Sequence, residues 1–209
     1  MLPWLLIPVK SLVHGKSRLA PMLDDTGRRE LNETLLVRML EAASECPGRN
    51  RTAVISECTE ALRVATVHGA TALRQSMGEG LNGAVGEGVR ALRRDNADAL
   101  MIVAADLPLV TGEDLLAIAR GGNERELVIW TDKHRTGTNA LFLPADASLR
   151  FRFGPDSCAA HAREARAGDL TVSVQFNPRV AFDIDTPEDL QRWYASNTTT
   201  EAQDAPARL

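Results

Sequence analysis

Residues 97–106 read "ADALMIVAAD", and from Ala99 to Ala105 no polar side chain interrupts the run. A half-exposed strand alternates apolar and polar residues. A strand at the centre of a parallel sheet is covered on both faces and is apolar throughout. The segment therefore predicts a central parallel strand. It ends on a carboxylate, Asp106, and Pro108 stops backbone pairing just beyond it. Ligands of open parallel sheets bind outside the carboxyl ends of the strands, which is where Asp106 is placed. The plain alternative is a turn cap.

Outward from this strand the chain alternates in a βα rhythm. Leu2–Val9 and Thr52–Ser56 read as strands, and Glu30–Glu45 carries a helical stripe of Leu31, Leu35, Met39 and Ala43. Helices are expected around Glu60–Thr66 and, despite its glycines, over Gly80–Arg94. At Thr111 the run "TGEDLLAIAR" opens with a capping-box pattern, Thr111 with Asp114. Leu127–Thr131 and Ala140–Leu143 read as strands flanking the polar loop "DKHRTGTN" (132–139). A helix over Pro155–Ala167, a strand over Thr171–Phe176 and a last helix at "TPEDLQRWY" (186–194) complete the pattern. The expected architecture is a three-layer α/β domain over residues 1–196 with a mostly parallel sheet. The stretch 197–209, "NTTTEAQDAPARL", has no apolar period and reads as a disordered tail.

A net charge of −4 argues against nucleic acid or an anionic membrane as the main partner. Cys46, Cys58 and Cys158 are odd in number and form no C-x-x-C pair, so no zinc knuckle or disulfide framework is indicated. The first apolar run is too short to span a membrane, is broken by Pro8 and Lys10, and has no cleavage pattern after it. A cytoplasmic location is expected.

The chain has three lysines, and two of them, Lys10 and Lys16, fall with Arg18 in the loop after the first strand. A buried strand emptying into a basic loop is a common phosphate-holding device, against the alternative of a solvated loop. In "AFDIDTPEDL", Asp183 and Asp185 lie two apart, so on extended backbone they face one side. Two like charges held together are costly unless a cation lies between them. Thr186, Pro187 and Asp189 form a helix start, which accounts for those residues and leaves Asp183 unexplained. Three aspartates at one crevice would supply hard oxygen ligands for Mg²⁺, and no histidine–cysteine cluster competes for zinc. The glycine-rich "GEGLNGAVGEGV" permits close backbone approach and, at Asn82, offers an amide to a base or ribose, against the alternative that its glycines serve tight helix packing. "GTNAL" and "FGPDSCAAH" are similar signals; in the latter Ser157 falls in a first helical turn whose amides could bind an anion, against ordinary capping, and His161 lies one turn beyond it in a packing or capping position.

In this order the pieces resemble the CofC/FbiD guanylyltransferase family (2-phospho-L-lactate guanylyltransferase and its relatives). The resemblance runs from about Ile7 to Leu190 on "PVKSLVHGKSRLAP", "GEGLNGAV", "ADLPLV", "GTNAL", "FGPDSCAAH" and "DIDTPEDL". It implies a Rossmann-like nucleotidyltransferase fold of the GT-A and molybdopterin guanylyltransferase type. The implied reaction is transfer of GMP from GTP to a small phosphorylated carboxylic acid, with release of pyrophosphate, in biosynthesis of the deazaflavin coenzyme F-420. The product would pass to a downstream deazaflavin transferase. By the same resemblance Lys10, Lys16 and Arg18 would neutralise the triphosphate, with Lys16, Arg18 and Asp106 catalytic. Pro8, Gly80 and Asn82 would lie along the nucleotide. Asp106, Asp183 and Asp185 would hold Mg²⁺, and Thr138, Gly154, Ser157 and Cys158 would line the acceptor. Relatives often carry phenylalanine where this chain has Cys158. The smaller side chain leaves room for a longer skeleton and favours D-3-phosphoglycerate over phosphoenolpyruvate or 2-phospho-L-lactate. Alternatives are a molybdopterin or sugar-phosphate nucleotidyltransferase, a glycosyltransferase using "DID" as metal motif, and a non-catalytic nucleotide-binding regulator.

Overall fold

The computed structural model describes residues 2–13, 15–76 and 80–203, with the side chains of 197–203 left aside. Seven strands form one sheet. They are β1 (Trp4–Pro8), β2 (Thr52–Ser56), β3 (Thr71–Arg74), β4 (Ala99–Val103), β5 (Glu126–Thr131), β6 (Thr138–Pro144) and β7 (Thr171–Gln175). The order is β3-β2-β1-β4-β6-β5-β7. Every neighbouring pair is parallel except those involving β6, which runs against both β4 and β5. The long apolar run is the central strand: β4 lies between β1 and β6, with Leu100, Met101, Ile102 and Val103 all buried.

Helices cover both faces, as a doubly apolar strand requires. On one face α1 (Asp25–Glu45), α2 (Thr59–Val67) and α4 (Gly112–Ala119) meet the strand residues Leu5, Ile7, Val54, Met101, Val103 and Phe142. On the other, α3 (Gly80–Arg94) and α5 (Ser157–Ala167) meet Leu6, Ile55, Leu100, Ile102, Ile129 and Leu141. The alternation Leu5/Leu6/Ile7 and Leu100/Met101/Ile102 thus feeds two separate cores from one strand each. Gly88 permits the close seating of α3: a Cβ there would lie 2.7 Å from a methyl of buried Leu6. A smaller third core joins Leu19, Leu31, Leu35 and Ile184 to Leu190 and Trp193 of α6 (Pro187–Gln203).

Several expectations shift. α1 starts at Asp25, earlier than the apolar stripe suggests, because the Asp24 carboxylate accepts the Gly27 N–H at 2.8 Å and caps the helix. β3 has no apolar signature; it is an edge strand with mostly exposed side chains, held by its backbone pairing to β2. α6 is assigned from Pro187 to Gln203, past the end of the apolar period, and residues 204–209 lie outside the described residues. The Thr111–Asp114 capping box is present with both bonds made. Among the described residues no helix is long and apolar enough to cross a membrane.

Candidate active site

The carboxyl ends of β1, β4 and β5 and the amino end of antiparallel β6 all open on one edge of the sheet. Beyond β1, the chain turns through Lys10 to Leu12, whose carbonyl accepts the Asn32 side-chain amide of α1 at 2.8 Å. Lys16 then adopts a left-handed backbone (φ 60°, ψ 38°), a conformation that costs a non-glycine residue about 1–2 kcal/mol. The turn after it buries Leu19 in the third core. The strained backbone sends the lysine inward, where its side chain is only 6% exposed.

There Lys16 Nζ donates to Asp106 Oδ2 at 2.5 Å and lies 3.5 Å from Asp185 Oδ1. Burial alone would lower the Lys16 pKa, but the charge and hydrogen bond of Asp106, with Asp185 and Asp183 behind, outweigh it and raise it. Lys16 therefore stays an ammonium. Asp106 reaches this point because β4 ends three residues earlier, and the Asp106 carbonyl accepts the Ile184 N–H at 3.3 Å. That bond docks the "DID" segment, which is irregular backbone and not a strand, beside Asp106.

Asp183 is the strained carboxylate. Burial raises its pKa, the neighbouring charges of Asp106 and Asp185 raise it further, and Lys133 acts the other way. Its Oδ1 is buried with no hydrogen-bond partner, and Lys133 Nζ lies 3.8 Å off. Lys133 instead donates to Asp189 Oδ1 at 2.6 Å and to the Asp183 carbonyl at 3.2 Å. Asp189 Oδ2 accepts the N–H groups of Asp185 and Thr186 and the Thr186 hydroxyl. Among the described residues no three metal-ligating side chains stand ready-assembled, since ammonium groups lie against these carboxylates. The donor set nonetheless suits a hard cation: oxygens alone, one of them orphaned, in a cluster of like charge.

A cavity of about 330 Å³ opens on this cluster, bordered by Pro8, Lys10, Lys16, Leu81, Ala105, Asp106, Thr138, Phe153 and Asp185. A narrow recess joins Pro8 and Lys10 to Gln75, Gly80 and Leu81. Larger clefts lie elsewhere, one of about 1100 Å³ at the opposite end of the sheet, but Asp106, Asp183, Asp185 and the lysines do not border them. Arg18 is exposed on the turn after Lys16 and does not border the cavity. Asn82 does not border it either. Its amide is engaged with the Phe153 backbone, accepting the N–H at 2.7 Å and donating to the carbonyl at 3.1 Å. It clamps the start of α3 to the cavity wall.

On the β6 side the ladder with β5 is bulged between Trp130 and Thr131. Strict alternation from Ala140 would send Thr138 to the α1 face. The extra residue turns it to the α5 face, where Thr138 Oγ1 lies 3.1 Å from His161 Nδ1, while Asn139 donates to the Val180 carbonyl on the opposite side. Gly154, at φ 135°, accepts the Ser157 N–H, and buried Ser157 opens α5. Cys158 packs partly buried against the α3/α5 core, where burial and then the Asp132 charge raise its thiol pKa, and it does not line the cavity.

The model of the family described as "Guanylyl transferase CofC like" matches residues 4–204. The chain belongs to this CofC-like guanylyl transferase family. A phosphoenolpyruvate guanylyltransferase of Rubrobacter xylanophilus is 41% identical over 91% of this chain and 92% of its own. A 3-phospho-D-glycerate guanylyltransferase of Phenylobacterium zucineum is 32% identical over 88% of this chain and 86% of its own. Among solved structures, a protein of Desulfovibrio desulfuricans assigned as a nucleotide-diphospho-sugar transferase superposes with a TM-score of 0.75 at 16% identity, covering 97% of this chain and 90% of that one. That likeness carries the fold alone, the one that protein shares.

Within this CofC-like chain, sequence reasoning passed over Lys133, Phe153 and the second role of Asp189. The signal for Lys133 was available: it is the third of three lysines, and all three stand at this edge of the sheet. Nothing in composition marks Phe153.

Proposed function

We propose that the chain transfers GMP from GTP to phosphoenolpyruvate, releasing pyrophosphate, as a step toward the deazaflavin coenzyme F-420. The observation that carries this reading is Lys16 held between Asp106 and Asp185 on the floor of the cavity, with Lys10 on its rim. A phosphate oxygen of the acceptor is already anionic near neutral pH, so it attacks the α-phosphorus without a general base. The P–O bond to pyrophosphate breaks in line. The chain's task is then positioning and charge neutralisation, which Lys16 and Lys10 supply toward the phosphates. Asp106, Asp183 and Asp185 would hold Mg²⁺, which when bound adds positive charge against the phosphate oxygens. Thr138, on the far wall, faces the acceptor.

The preference for phosphoenolpyruvate departs from the pocket-size reasoning above. Cys158 packs against the α3/α5 core and leaves the cavity dimensions untouched, so it gives no ground for a longer acceptor. The relative at 41% identity bears the phosphoenolpyruvate name. D-3-phosphoglycerate stands as the second reading, on the relative that uses it.

The test is pyrophosphate release from each of the four nucleoside triphosphates crossed with phosphoenolpyruvate, D-3-phosphoglycerate and 2-phospho-L-lactate, with Mg²⁺ or chelator. GTP with phosphoenolpyruvate is expected to be fastest and to need Mg²⁺. Release independent of any phospho-acid would overturn the reading, and faster turnover with another acid would reassign the acceptor.

A further inference from the structure

His161 is fully buried, and the chemistry above gives it no part. Both ring nitrogens are engaged. The Arg152 backbone N–H points at Nε2 over 2.9 Å, and Nδ1 faces Thr138 Oγ1 at 3.1 Å. A nitrogen that accepts an N–H carries no proton of its own. The single proton of the neutral ring therefore resides on Nδ1, and Nδ1 donates to the Thr138 hydroxyl oxygen. Thr138 is fixed in turn: with an oxygen lone pair filled by His161, its own O–H is turned away from the ring. Thr138 borders the cavity, and the bulge in β5–β6 is what brings its side chain to this face.

We infer that His161 is a positioning residue that orients the Thr138 hydroxyl as a hydrogen-bond donor into the cavity, toward an anionic oxygen of the acceptor. This rests on the proposed reading of the cavity as the acceptor's seat. Three features agree with it. A histidine cation would have to donate from Nε2 toward the Arg152 N–H, so only the neutral ring fits; burial accordingly holds its pKa down to about 4. The ring lies edge-on to Phe153, centroids 4.7 Å apart, so the same side chain supports a second wall residue. And the Phe153 backbone is itself gripped by Asn82, which fixes the segment against which the ring packs.

The two ring contacts are separable. His161→Asn places an amide N–H where Nδ1 stands and loses the partner of Arg152. His161→Gln places an oxygen where Nε2 stands and loses the donor to Thr138. In steady-state assays with GTP and phosphoenolpyruvate, His161→Gln is expected to raise the acceptor KM about tenfold, the size of one hydrogen bond to a charged group, with the GTP KM unchanged. His161→Asn should keep the acceptor KM within about threefold of the native value while lowering Tm. In a Thr138→Val background, His161→Gln should add almost nothing, because the effect runs through a hydroxyl already removed. Independently of turnover, ¹⁵N NMR of the ligand-free protein should show the Nδ1–H tautomer for His161. An Nε2–H tautomer, a full tenfold effect persisting in Thr138→Val, or equal damage to both KM values overturns the inference. Should His161→Gln fail to fold, a raised acceptor KM in His161→Asn does so as well. A native protein inactive with every phospho-acid would instead sink the functional reading, and the tautomer would still be decided.

Discussion

Lys16 Nζ sits 2.5 Å from Asp106 Oδ2, joining residues 90 apart in the chain and closing the loop after β1 onto the end of β4. The ammonium has two duties: it neutralises aspartates, and it faces the cavity. Lys16→Ala should lower pyrophosphate release at least about 100-fold, by loss of a donor preorganised toward phosphate. Breaking a fully buried pair costs about 3–5 kcal/mol, but Asp106 and Asp185 are 32% and 49% exposed, so solvent screening reduces the expected loss to about 1–2 kcal/mol. Mg²⁺ should then raise Tm more in the variant than in the native protein. Thermal melts with Mg²⁺ and with chelator measure this.

Asp183→Asn separates function from stability in the opposite sense. The native carboxyl is held above its ordinary pKa, so its ionised form opposes folding at neutral pH, and this penalty fades as pH falls through the folded pKa. The amide removes the penalty and a metal ligand together. In chelator, Tm should be equal to or above native; with Mg²⁺ and GTP, turnover should drop at least about 100-fold. A marked fall in Tm would show that the carboxylate stabilises the fold.

Asp189 is the opposite case, a buried carboxylate with both oxygens hydrogen-bonded. Burial pushes its pKa up, but Lys133 and the N–H groups of Asp185 and Thr186 outweigh this and hold it below the ordinary range. Its stabilisation is present at neutral pH and is lost as pH falls through that depressed value. Asp189→Ala should destabilise by about 3 kcal/mol, the range for breaking a buried pair, and should also lower turnover because Asp185 loses its anchor. Lys133→Met, which leaves the helix cap intact, should cost clearly less in a denaturant titration.

His161 sets an acid limit of its own. Unfolded, it titrates near 6.5; folded, it is held to about 4 by burial, with the Glu164 charge acting the other way. Glu164 is paired with Arg152, and Thr138 and Phe153 beside the ring are uncharged. Between these two values the unfolded chain binds the extra proton, so stability falls as pH drops from about 6.5 to about 4, by on the order of 3 kcal/mol. Urea unfolding from pH 7 to 4.5 should show this slope in the native protein and lose one proton of it in His161→Gln.

Much of this was legible in the chain. The unbroken run Leu100–Val103 located the central strand, and with it Asp106, because burial on both faces leaves no room for a polar residue. Lys10 and Lys16 stood out against an arginine-rich background. What stayed hidden was the direction of β6, since an apolar strand looks the same read either way. The use of Asn82 was hidden too: an amide in the first turn of a glycine-rich helix gives no hint that its partner is Phe153, 71 residues on. His161 read as helix packing because its two partners, one a backbone N–H, come together only through the fold.

The bulge opposite Trp130 makes the Thr138 hydroxyl a matter of counting. Its side chain faces α5, and Asn139 faces Val180, only because β6 carries one residue more than β5 at that point. Removing one of residues 133–136 would leave every motif recognisable and yet restore plain alternation, sending an amide where the hydroxyl belongs. Length in this segment is thus as constrained as identity, and a shortened loop is equivalent to a point substitution at the site.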